Sequence, residues 1–116
     1  ASAAELCRLV AAIDGDPTMP DVISPEAVRL MTQEMPNHQF SLGWNYTPNG
    51  RPWIRTGSLV GTSAIVLRYP DGECWVFITN TSTWKGHKFS KDTMALFEKL
   101  RKRFGSKLPK RNLFVK

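Results

Sequence analysis

Residues 51–79 constrain this chain more than any other stretch. Ile54 and Thr56 suit a strand, residues 63–69 form a second apolar run, and Cys74-Trp75-Val76-Phe77-Ile78-Thr79 forms a third. Gly61 and Pro70-Asp71-Gly72 place tight turns between them. Connections that short join antiparallel strands, because a parallel pair needs a crossover of a dozen residues or more. The third run is apolar on both faces, with Trp75 and Phe77 on one and Val76 and Ile78 on the other. A strand of that kind expects cover on both sides.

Helices flank this core on the sequence pattern. Residues 2–13 read as a helix opened by Ser2 and Glu5 at capping-box spacing, with Leu6, Leu9, Val10 and Ile13 on one face and Gly15 ending it. Ser24-Pro25-Glu26 starts a second, with Ala27, Leu30, Met31 and Met35 as its apolar side and Pro36 closing it. Phe40, Leu42, Trp44 and Tyr46 alternate with polar or small residues, a period-two strand leading into the turn Thr47-Pro48-Asn49-Gly50. Ser90 and Asp92 open a last helix striped by Met94, Phe97, Leu100 and Phe104 and stopped by Gly105. The expected class is α+β, a three-stranded antiparallel sheet in chain order with flanking helices. One domain fits the 116 residues: 1–104, then a basic tail at 105–116.

Composition narrows function by exclusion. Hydrophobic content of 41% argues against disorder, and no apolar run can span a membrane. Ala1 leads straight into a helix, with no signal-peptide pattern. The net charge of +6 is concentrated at the end, where eight basic and no acidic residues follow from Lys99 onward. A solvated helix face and tail account for this. A nucleic-acid partner is disfavoured, since no recognition motif accompanies the charge. Cys7 and Cys74 lack metal-ligand spacing and read as separate buried thiols. No metal or other cofactor is called for. His38 and His87 fall in loops and read as surface residues.

Arg55-Thr56-Gly57-Ser58 carries the chemistry. A cation and a hydroxyl flank a glycine where another molecule can approach the backbone, which suits a carboxylate. This stretch resembles the Lys-Thr-Gly or His-Thr-Gly motif of the serine β-lactamase and penicillin-binding protein superfamily. Its continuation, Gly-Ser-Leu-Val-Gly-Thr-Ser and an apolar strand, resembles the class C-like branch, which includes esterases and D-aminopeptidases. The order of elements over residues 1–104 is similar to the C-terminal part of that fold.

The resemblance implies acyl transfer on peptide, amide or ester substrates. It implies that Arg55, Thr56 and Gly57 bind the small acyl or carboxylate substrate, and that the Ser58 N–H is one oxyanion donor. It also implies a periplasmic or extracellular location. Arg55 keeps the charge of the usual Lys or His but cannot shuttle a proton at neutral pH. No Ser-x-x-Lys nucleophile lies upstream of Arg55; Ser82-Thr83-Trp84-Lys85 has the letters in a loop after the last strand, and is read as chance. Tyr46 does not belong to a Tyr-x-Asn motif.

Two functions remain. One is the C-terminal piece of a β-lactamase-like serine hydrolase, inactive alone and completed by an N-terminal part of the same enzyme. The other is a non-catalytic interaction domain whose basic tail binds a protein partner or acidic surface. The uncharged strand Cys74-Thr79 is expected to be an edge open to an N-terminal partner or a second copy. The helices are expected not to cover both faces of the sheet.

Overall fold

The computed structural model describes residues 1–33, 41–81, 84–110 and 114. The protein is α+β. Its elements run α1 (Ala3–Ala11), α2 (Pro25–Thr32), β1 (Trp53–Leu59), β2 (Thr62–Arg68), β3 (Cys74–Thr79) and α3 (His87–Phe104), followed by a 3-10 turn (Gly105–Lys107). The strands form one antiparallel sheet in the order β1-β2-β3. Gly61, at φ +79°, makes the first hairpin turn, a conformation open to glycine without a Cβ penalty.

The pleat sorts side chains between two cores. Ile65, Leu67, Tyr69 and Phe97 are buried together, with Ile54, Trp75, Phe77 and Met94 packed around them. On the opposite face Val10, Trp44 and Val66 are buried, joined by Leu6, Trp53, Cys74 and Val76. Thus α3 covers one face and α1 the other, contrary to the expectation that the helices would leave one face open. Apolar exposure remains at Leu59 and Val60 in the β1–β2 turn and at Leu9, Leu30 and Leu96 on the helices.

The capping box of α1 forms as the sequence predicts: Ser2 Oγ accepts from the Glu5 amide at 3.2 Å, and the Ser2 amide donates to Glu5 Oε2 at 2.6 Å. The helix ends at Ala11, before Gly15, because the Ala12 and Ile13 amides turn back to Leu9 and Val10 in a tightened last turn. Helix α2 also stops early, at Thr32, since Gln33 is already extended. The predicted Met35 and Pro36 lie outside the described residues, as do Phe40, His38 and Ser82.

Two further expectations are corrected. The aromatic segment is not a strand from 41 to 46. Gly43 at φ +82° breaks the extended path, the Trp44 amide turns back to Ser41, and only Tyr46 bridges to Ile54. Trp44 is instead a core residue, edge-on to Trp53 at 5.6 Å. The last helix begins at His87, capped by Gly86, so His87 is helical and Ser90 is internal. Packing of Phe89 on Phe77 at 5.9 Å pulls that extra turn onto the sheet. At the other end α3 stops at Phe104 with Gly105 as its C-cap, as expected, and the chain continues into the 3-10 turn.

Candidate functional site

The outer edge of β1 holds the motif. Its backbone groups alternate between facing β2 and facing away. The Ile54 amide donates to Tyr46 O at 2.8 Å, and the Thr56 amide donates to Asn45 Oδ1 at 2.6 Å. Those two bonds fix residues 54 and 56 as outward-facing, and the unbroken register carries the Ser58 N–H to the same edge. Among the described residues this amide meets no acceptor. The edge is therefore blunted at Ile54 and Thr56 and open at Ser58.

Side chains alternate across the same strand. Thr56 and Ser58 lie on the α3 face, opposite Ile65 and Ser63. Arg55 and Gly57 lie on the α1 face, opposite Val66 and Ala64. Arg55 is exposed and makes no ion pair among the described residues. A Cβ at Gly57 would meet nothing within 4 Å, so packing inside this chain does not require glycine there. The strand thus presents a cation, an uncrowded backbone and a free N–H side by side, but on an open surface.

Asn45 is a site neighbour that sequence reasoning missed. Its carboxamide takes the Thr56 N–H and lies 3.5 Å from Thr56 Oγ1. The signal was its position just before the Asn-Gly turn, which folds residues 45 and 46 back beside 54–56. His87 is exposed at the start of α3 and makes no ion pair with an acid among the described residues. No group of three or more His, Cys, Asp or Glu among the described residues could hold a metal ion. No described helix is long and apolar enough to cross a membrane.

Two open clefts of about 360 Å³ each lie at the far end of the strand and share Gly50 and Pro70. Their walls are built by ion pairs. In one, Arg68 Nε donates to Asp14 Oδ2 at 2.9 Å, with Asp16 at 3.9 Å and the Trp53 ring at 5.1 Å. In the other, Arg101 bonds Glu73 and Asp71 and stacks on Tyr69, whose hydroxyl donates to Glu98 at 2.6 Å. Burial, then the Glu98 carboxylate, push the Tyr69 phenol well above its ordinary range. These charged groups satisfy one another, and among the described residues the clefts hold no free polar group of the buried kind that marks a catalytic centre.

Comparison of this chain with protein families, with curated proteins and with solved structures returns no match. The function must be read from the site.

Proposed function

We propose that this chain is the C-terminal, substrate-binding piece of a β-lactamase-like serine hydrolase. The observation that carries the reading is the Ser58 N–H, without an acceptor among the described residues on the outer edge of β1, beside a bare Gly57 and the exposed Arg55. A backbone donor on a rigid strand costs no reorganisation when an oxyanion develops against it. Arg55 supplies the charge that draws a carboxylate to the same edge. Thr56 offers its hydroxyl on the α3 face, with its amide held by Asn45.

The nucleophile comes from a partner in this reading. The N-terminal part of the same enzyme would extend the sheet along β3, whose Val76 and Ile78 amides face away from β2 and meet no acceptor among the described residues. A second reading, an interaction domain for an acidic surface, is favoured by one observation: Lys99, Lys102, Arg103, Lys107 and Lys110 are all exposed at the end of α3 and just beyond.

Amide chemical shifts of the chain titrated with acetate and with a D-alanyl dipeptide test the site. Gly57 and Ser58 should shift together, and Arg55→Ala should weaken the response by about 1.5–3 kcal/mol, the range for a hydrogen bond to a charged group. Shifts confined to the α3 basic surface, with β1 silent, would replace the first reading with the second.

A further inference from the structure

Cys7 and Cys74 are 67 positions apart (74 minus 7), yet the fold brings them together. Cys74 opens β3 opposite Arg68, so its side chain leaves the sheet on the face that also carries Val66 and Val76. Helix α1 packs on that face through Leu6 and Val10. Cys7 precedes Val10 by three residues, which puts both on one flank of the helix. Both thiols are free and half-buried, and α1 packs along β3, which makes them neighbours across that seam.

We propose that Cys7 and Cys74 form a modification site, a dithiol that hydroperoxides convert into an intramolecular disulfide tying α1 to β3. The environment divides the roles. A hydrogen bond from the Cys74 thiol stabilises the Cys7 thiolate and lowers its pKa to about 7. The same contact, then burial, raise Cys74; Asp14 adds to that rise and Arg68 opposes it. Cys74 packs with Val66 and Val76 on that face of the sheet, a setting that disfavours its thiolate, so Cys7 is the attacking sulfur and Cys74 the resolving one.

With hydrogen peroxide the atoms balance in two steps. The Cys7 thiolate attacks one oxygen, an S–O bond forms, the O–O bond breaks, and hydroxide leaves to become water on protonation. The anion that raised Cys74 is then gone. Cys74 loses its proton and attacks the sulfenic sulfur, an S–S bond forms, the S–O bond breaks, and a second water leaves. Two thiols are oxidised and one peroxide is reduced to two waters.

Intact mass of the chain after hydrogen peroxide treatment is the test. The expected product is a monomer lighter by two hydrogen atoms, restored by dithiothreitol. Cys7→Ser and Cys74→Ser should show no such loss, and Cys74→Ser should instead gain oxygen at Cys7. A wild type that gains oxygen without losing hydrogen, or that yields mainly disulfide-linked dimers, would overturn the proposal. Alkylation of the untreated wild type by iodoacetamide gives an independent reading. Cys7 should react with a midpoint near pH 7; a midpoint at the ordinary thiol value near 8.5 would count against a thiolate held by Cys74.

Discussion

Asp14→Ala is predicted to be among the costliest single changes to this fold. The side chains of Asp14 and Arg68 are 4% and 10% exposed, so the pair is out of water. Removing one partner of such a pair costs about 3–5 kcal/mol, because the other charge stays buried without compensation. Asp14 Oδ1 also accepts the Asp16 amide at 3.0 Å, a bond worth about 0.5–1.5 kcal/mol. Arg68 keeps part of its satisfaction from Tyr69 O at 2.8 Å and from Asp16 at 3.9 Å. The net expectation is about 3 kcal/mol. With a urea slope of about 1.5 kcal/mol/M, the midpoint falls by about 2 M. The control is Asp14→Ala with Arg68→Met, which removes both charges and refills the space beside Trp53. That double variant should recover most of the loss, since replacing a buried pair with apolar groups is often near neutral. A single-variant cost below about 1 kcal/mol, or a double variant as unstable as the sum of its singles, would refute the view that an unpaired buried charge sets the cost.

Three other outcomes follow from the same geometry. The isolated chain should not hydrolyse chromogenic β-lactams, D-amino-acid peptides or esters, for want of a positioned nucleophile. A burst abolished by Ser82→Ala would instead make Ser82 that nucleophile. Arg55→Ala should leave the urea midpoint almost unchanged, within about ±0.5 kcal/mol, because the side chain is exposed and makes no ion pair among the described residues; a large loss would mark it as structural. Light scattering at low micromolar concentration should show association through β3, weakened by Ile78→Lys. A strictly monomeric wild type, with its β3 amides protected from exchange, would sink edge pairing. Phe77→Lys is unsuited to that test, because Phe77 packs into the α3 core.

The meander was legible because each of its signals is local. Turn residues and apolar runs sit next to one another in residues 51–79, and nothing distant competes with them. The capping box at Ser2 and Glu5 is local too. The aromatic segment misled because alternation at Leu42, Trp44 and Tyr46 carries no information about Gly43, whose positive φ breaks the strand. Ser90 misled as a cap because Phe89, by packing on Phe77, makes the preceding turn helical. The β1 edge was half legible. Alternation along a strand puts the Ser58 amide and the Thr56 amide on one side, but only the fold shows that Asn45 closes the second. The Cys7–Cys74 contact and the Asp14–Arg68 pair were invisible, since both join segments with no local relation.

That last pair has a consequence for how the molecule opens. Asp14 and Arg68 are 54 residues apart, whereas every strand pairing joins neighbours in the chain. Loop closure makes local pairings cheap and distant ones dear, so the meander and α3 form one low-contact-order unit and α1 docks onto it from afar. Partial unfolding in the reverse order releases α1 from the sheet while the meander stays paired. Its release strips Val66 and Val76 of cover and parts the two thiols. A disulfide at that seam would close a ring worth about 4 kcal/mol in chain entropy, and a joint made only by contacts distant in sequence would become a covalent one.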